Sequence, residues 1–351
     1  MRRPLERPRG RGALGAVLFV LLVMRRARVM ILLTPSVVAA CTPAENGTQS
    51  GGAPADTASR RPAPSNADAN RTRAGSAATP VGVTQGLQTP EAVRYDPELD
   101  VYFIANINGH PARKDNNGWI GRVTASQPSR ASVFVAGGQD GVFLHAPKGM
   151  AIQGDTLWVA DIDILRGYDK HTGKFVAAVG FWSKNVAFLN DVVLGGDGAL
   201  YLTDTGVTFN AAGEMEPAPG GPRIYRLAGR SMTEEVKGDL LTGPNGIAYD
   251  SANTRFVLAP FGGKEIQTWR PGALPERLAT GPGMYDGVEI VNGRIYVTSW
   301  ADSAVHVLEN GALRPIIRNV AAPADLGVDT KRNVLAVPRF NDGRVEYYKV
   351  P

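Results

Sequence analysis

Six places along this 351-residue chain put oxygen-bearing or charged side chains where they could converge: Glu91, Lys148, Asn190 with Asp191, Asn245, Asp286 and Asp325. Carboxylate and amide oxygens are the donors of a hard divalent cation, which takes six to eight oxygens and completes its shell with water. Calcium is therefore the first expectation, with Mg2+ or Mn2+ as further oxygen-seeking candidates. Zn2+ is less natural, because it favours nitrogen and sulfur ligands. The single cysteine, Cys41, is remote in sequence, and His110, His145, His171 and His306 fall away from these positions. The same residues have a plainer use, which is to hydrogen-bond neighbouring elements and order water. Spacing alone leaves both uses open. Other chemistries find no support: there is no G-x-S-x-G elbow for a nucleophilic serine, and no phosphate-cradling or dinucleotide-binding glycine motif.

What must position these side chains is a repeat. Each opens one of six related segments: PEAVRYDPELDVYFIAN (90–106), PKGMAIQGDTLWVAD (147–161), LNDVVLGGDGALYLTD (189–204), PNGIAYDSANTRFVLAP (244–260), YDGVEIVNGRIYVTSW (285–300) and ADLGVDTKRNVLAVPR (324–339). A turn residue and a polar residue come first, followed by an alternating apolar run, a short turn, and a second apolar run. Glu91, Lys148, Asn190, Asn245 and Asp286 stand 57, 42, 55 and 41 residues apart. A four-stranded propeller blade needs about 40 to 50 residues, so the long gaps mark insertions. Further strand-like runs follow the pairs: 118–124 and 132–137, 223–229, 265–269 and 275–281, 304–309 and 314–319, and 344–350. The expectation is an all-β, six-bladed β-propeller of four-stranded blades. The last unit lacks a fourth strand, and VGVTQGL at 81–87 is placed to supply it and close the ring. A helical fold is excluded because no window holds a 3.6-residue apolar period for three turns.

Propeller geometry turns the repeat into a site. The innermost strands line a central channel, so the residues that open them meet at one mouth. Strands within a blade run antiparallel, so the loops after the second strands lie over that same mouth. These loops are 106–117, 161–167, 205–222 and 260–264, and 205–222 is long enough to cover a pocket. Trp182, Phe261 and Trp300 fall near the mouth, where aromatic packing between blades is the expected role of Phe261 and Trp300.

The formal charge of +5 misleads. Residues 1–40 hold eight Arg and one Glu, so from Cys41 onward 30 basic residues face 32 acidic ones. A near-neutral body offers no basic stripe for phosphates, and nucleic acid is not an expected partner. Residues 1–40 read as an export signal. Arg25, Arg26 and Arg28 form a basic cluster, Val29 to Val38 an apolar core, and Val38-Ala39-Ala40 leads into Cys41. Met24 therefore serves as an alternative start. The pattern resembles a bacterial lipoprotein signal, in which Cys41 is lipidated and anchors the chain to a membrane facing the periplasm or cell exterior. An ordinary cleaved secretory signal is the alternative. Residues 42–80 contain no Val, Ile, Leu, Met, Phe, Trp or Tyr. Such a segment cannot bury enough surface to order itself, so 41–80 is expected to be a disordered tether and 81–351 the propeller, acting as a monomer.

At Glu91 in TPEAV, Asn190 in FLNDV, Asn245 in GPNGIAYD and Asp286 in MYDGVEI, the chain resembles the family of senescence marker protein (regucalcin), gluconolactonase and luciferin-regenerating enzyme, over about 85–351. The resemblance implies one divalent metal at the channel mouth, held by Glu91, Asn245 and Asp286, with Asn190 holding substrate or metal. Two positions depart from the family pattern. Phe188 stands where the family carries an Arg that contacts a polar substrate, and Val192 stands where it carries a Gly. The expected function is metal-dependent hydrolysis of a lactone or similar cyclic ester. Asp286, or alternatively Asp191, would take the proton of a water as general base. Asn190 would orient the substrate, and Lys148 or Lys114 would balance developing charge, although an ion pair with a channel Asp is the plainer role of Lys148. The rival expectation is a non-catalytic propeller that binds a ligand or protein, its metal structural.

Overall fold

The computed structural model describes residues 78–351. The export signal, Cys41 and residues 42–77 of the expected tether lie outside the described residues. Six four-stranded antiparallel sheets follow one another in the chain. Blade I comprises Pro90–Asp96, Val101–Asn106, Trp119–Thr124 and Ser132–Ala136. Blade II comprises Pro147–Gln153, Thr156–Asp161, Ile164–Asp169 and Phe175–Gly180. Blade III comprises Leu189–Leu194, Leu200–Asp204, Arg223–Ala228 and Ser231–Lys237. Blade IV comprises Pro244–Asp250, Arg255–Pro260, Glu265–Trp269 and Glu276–Thr280. Blade V comprises Tyr285–Val291, Arg294–Ser299, Ala304–Glu309 and Ala312–Arg318. Blade VI comprises Gly327–Asp329, Val334–Arg339, Arg344–Lys349 and the N-terminal Thr79–Gln85. The fold is the six-bladed β-propeller. Among the described residues no helix is long and apolar enough to cross a membrane.

Each inner strand packs against the inner strand of the next blade, and that of blade VI returns to blade I. The return is hydrogen-bonded: Val93 N donates to Asp325 O at 3.2 Å and Asp325 N to Glu91 O at 2.8 Å. The strand that completes blade VI begins at Thr79, two residues before the expected start, and pairs Thr79 with Lys349 and Gln85 with Arg344. Side chains reinforce this seam. Tyr102 packs between Tyr95 and Tyr347, with ring centroids 5.4 and 5.0 Å away. Such pairs contribute about 0.5–1.5 kcal/mol each beyond their burial. Arg332 of blade VI spans Asp100 of blade I and the buried Asp329, at 2.7 Å to each.

Inner strands are buried along most of their length, on both faces. Outer strands are solvated. Phe175–Gly180 and Ser231–Lys237 are largely exposed, and neither is among the strand-like runs expected from the sequence.

Candidate functional site at the channel mouth

The site begins with a backbone irregularity repeated around the ring. In five blades the ladder between the first two strands loses register at the start of the inner strand. The slips fall between Pro90 and Ala92, Pro147 and Met150, Leu189 and Val192, Pro244 and Gly246, and Tyr285 and Val288. The residues passed over are Glu91, Lys148 with Gly149, Asn190 with Asp191, Asn245, and Asp286 with Gly287. A residue released from the ladder is freed from strict alternation and can be re-aimed, which is the usual work of a bulge beside a site. Here the polar openers turn into the channel.

Five of them line one cavity of about 90 Å³, together with Thr205, Pro111 and a largely apolar wall. That volume equals about three waters at ~30 Å³ each. Glu91, Lys148, Asn190, Asn245 and Asp286 are all buried, and they form its floor. Three of their atoms are buried without a hydrogen-bond partner: Glu91 Oε2, Asn245 Oδ1 and Asp286 Oδ1. Buried oxygens are rarely left unpaired without a reason. Their convergence in one cavity, all oxygen and two of them carboxylate, fits the donor set of a hard cation. Among the described residues no three His, Cys, Asp or Glu side chains converge as a metal-ligating group; the floor instead combines two carboxylates with two amides.

The remaining atoms of these residues are committed. Asp286 Oδ2 accepts from the Trp300 indole N–H at 2.9 Å, which leaves Oδ1 toward the cavity. Asn190 Nδ2 donates to Thr205 Oγ1 at 3.0 Å, and that hydroxyl donates to Pro244 O at 2.9 Å. This commits one of the two Asn190 amide hydrogens and leaves Oδ1 as a ligand atom. Lys148 Nζ donates to Pro111 O at 2.9 Å and Ala146 O at 3.0 Å, and lies 4.4 Å from the centre of the Phe188 ring. It forms no ion pair among the described residues, so the expected salt bridge to a channel Asp is replaced by two carbonyls and an aromatic face. Lys114 pairs with Asp163 at 2.6 Å and does not line the cavity.

Electrostatics follow from burial. Desolvation raises Glu91 well above the usual carboxylate range; Asp286 pushes the same way, and Lys148 opposes it. Asp286 is raised to about 7, again by desolvation, with the Trp300 hydrogen bond and Asn245 holding it down. Desolvation lowers Lys148 to about 8, against the pull of Glu91 and Asp161. Two carboxylates so unwilling to ionise without compensation form a site that gains from a cation.

Asp191 stands apart from its neighbour. Its carboxylate accepts Val192 N at 2.7 Å and Ile247 N at 2.8 Å, tying blade III to blade IV, and it does not line the cavity. Asp325 also lies outside the cavity lining. Both sit close to Arg94, whose burial opposes its charge while Glu289, Asp325 and Asp191 sustain it. Arg94 donates to Glu289 at 2.5 Å and to Met150 O at 2.6 Å. Sequence reasoning missed this pair, although charges in the middle of otherwise apolar inner strands were a visible signal.

The loops behave as a roof. Loop 205–222 folds into a hairpin of Val207–Phe209 and Met215–Pro217. Phe209 reaches His110 of loop 106–117 at 4.8 Å and Phe188 at 5.8 Å between ring centres. Phe261, Trp300 and Phe340 continue the wall, with ring centres 5.6 and 5.4 Å apart in turn. Phe261 and Trp300 pack between blades as expected, and all three rings also face the cavity. The expected loop 161–167 is a two-residue turn, Ile162 and Asp163, between strands and takes no part in the lining, nor does Trp182, which is exposed.

The fold and site together define a six-bladed propeller with an oxygen-lined, apolar-roofed channel mouth. No protein-family model and no curated protein matches the sequence. Among solved structures, the chain is similar to a gluconolactonase from Xanthomonas campestris, important in glucose secondary metabolic pathways. That likeness has a TM-score of 0.59 at 16% identity, covering 80% of this chain and 99% of the other. A presumed gluconolactonase solved as a structural-genomics target gives 0.57 at 19% identity, covering 79% and 92%. Likeness at this identity establishes the fold.

Proposed function

We propose that the protein is a metal-dependent hydrolase that opens a cyclic ester at the channel mouth. The observation that carries this reading is the convergence of the unpartnered Glu91 Oε2, Asn245 Oδ1 and Asp286 Oδ1 in one small cavity. Its similarity to gluconolactonase structures supports the same reading. Glu91, Asn245 and Asp286, with Asn190 Oδ1 beside them, are the residues that would hold one divalent cation, calcium foremost. Such a cation supplies Lewis-acid polarisation of an ester carbonyl and of a water.

The chain's own groups do the rest. Asp286 Oδ1, steadied through Oδ2 by Trp300, accepts the proton of a water as that water bonds to the carbonyl carbon. The ring C–O bond then breaks, and the proton passes to the departing alkoxide. Lys148, with two of its three N–H donors spent on carbonyls, keeps one for negative charge that develops on the substrate. The aromatic wall lowers the polarity around the reacting groups, which strengthens each of these interactions.

The test is calcium titration by calorimetry into metal-stripped protein, beside a lactone panel assayed with Ca2+, Mg2+, Mn2+ and Zn2+. Asp286→Asn should keep the fold and lose both binding and most hydrolysis; an unchanged rate in that variant rules the assignment out. The apolar roof favours one second reading, a propeller that binds a ligand around a structural metal. Metal and ligand binding with no turnover on any lactone would establish it. We place the enzyme on the cell envelope through a lipid at Cys41, for which Cys41→Ser should move the protein from membrane to soluble fractions.

A further inference from the structure

The geometry points to an apolar substrate: a lactone or ester whose polar part is confined to the reacting group and whose remainder is hydrocarbon. This deepens the hydrolase reading and rests on it. Polarity in the cavity is segregated. Its oxygens and its one ammonium belong to the floor, while the wall and roof are Ile107, Phe188, Phe209, Phe261, Trp300 and Phe340. The one polar atom on that wall identified with a partner, the Trp300 indole N–H, is spent on Asp286. On the floor, one of the two Asn190 amide N–H bonds and the Thr205 hydroxyl are also engaged.

A polyhydroxylated lactone would carry several hydroxyls past this wall and find no partner for them there. Each buried hydroxyl left unpaired would weaken binding about five- to 150-fold. A hydrocarbon substituent meets the opposite environment. Aromatic and aliphatic surfaces receive it, and each methylene removed from water strengthens binding about fourfold. The wall also has an outlet. Met215, on the roof hairpin, lines the cavity and is 49% exposed. A chain longer than the 90 Å³ cavity holds can therefore run out beneath the hairpin past Phe209 and Met215. The ammonium of Lys148 does not alter this: two of its N–H bonds go to carbonyls, the Phe188 ring lies against it, and the one that remains serves the reacting group alone.

The experiment compares γ-lactones bearing hydrogen, ethyl, butyl or hexyl on the ring with glucono-δ-lactone, using metal-loaded protein and a pH-stat. kcat/KM should rise about fourfold per methylene over the first carbons, and glucono-δ-lactone should fall below the unsubstituted ring. Phe209→Ser and Met215→Ser should each flatten that slope. Glucono-δ-lactone equal to or better than the alkyl series would overturn the inference while leaving the hydrolase reading intact. Hydrolysis of none of them would instead remove the hydrolase reading. The matching alkyl lactams, which resist hydrolysis, then decide by calorimetry: affinity rising with chain length sustains the apolar site, and no binding, or no dependence on chain length, ends it.

Discussion

Trp300→Phe removes the hydrogen bond that holds Asp286 Oδ2. The indole N–H donates to Asp286 Oδ2 at 2.9 Å, leaving Oδ1 for the cavity. Phenylalanine keeps an aromatic ring between Phe261 and Phe340, which lie 5.6 and 5.4 Å from the indole, and removes only the donor. A hydrogen bond to a charged acceptor contributes about 1.5–3 kcal/mol, which corresponds to roughly 10- to 150-fold in an equilibrium constant. An independent guide agrees: loss of a group that orients a metal ligand costs about 10–100-fold in metal affinity or activity. Calcium affinity and kcat/KM should therefore each fall by one to two orders of magnitude. The midpoint of thermal unfolding should move by only a few degrees. Calorimetric titration and lactone hydrolysis on the same preparation measure both. An unchanged isotherm in a folded variant would show that Asp286 needs no such support and would refute the argument.

Arg332→Ala cuts the tie between blades VI and I and strands the buried Asp329 without its cation. Asp329 keeps the Tyr102 hydroxyl and two backbone amides, so the loss is one charge-assisted hydrogen bond, about 1.5–3 kcal/mol, and the melting temperature should drop by several degrees. The effect depends on pH with a definite sign. Hydrogen bonds from Arg332, then from Tyr95, hold Asp100 well below the usual carboxylate range. Its contribution is complete above the unfolded value of about 4 and is lost as pH falls through the lower folded value. The gap in melting temperature between wild type and Arg332→Ala should accordingly be full at neutral pH and close in acid; a gap that widens below pH 4 would contradict it. Gly246→Ala should destabilise by about 1–3 kcal/mol through overpacking, since a Cβ there would meet Asp286 O, Gly287 Cα and Val288 N, all backbone. It should also weaken calcium binding, and destabilisation with normal binding would show that the seam and the site are uncoupled.

How much of this was legible in the sequence depends on where each feature lies relative to water. Inner strands, buried on both faces, wrote themselves as six matching apolar runs, and the residues opening them, Glu91, Asn190, Asn245 and Asp286, do meet in one cavity. Outer strands such as Ser231–Lys237 contact solvent along most of their length, so nothing constrains them to a distinctive alternation. The roof hairpin was visible only as a long loop. Hydrogen-bond commitments were beyond reach, because they join distant residues. Asp191 accepts Ile247 N across 56 positions, and no local pattern announces that. Asp191 nevertheless carried a warning. Blades II, IV and V have Gly149, Gly246 and Gly287 after the polar opener, a position where a side chain collides with the next inner strand.

That collision explains why neighbouring residues of one repeat take unrelated roles. The register slip at each inner strand releases two successive positions in blades II, III and V. The first is aimed into the channel and can serve a ligand. The second faces the adjoining blade, where a small residue permits close approach and a polar one can bond to what it meets. In blade III that residue is Asp191, and it answers the neighbouring backbone with a carboxylate that accepts the Ile247 amide. The cavity oxygens and the seams between blades thus arise from the same irregularity, one residue apart. A change at a seam is therefore expected to move a site oxygen, and the coupling between Gly246 and Asp286 is where this expectation can be measured.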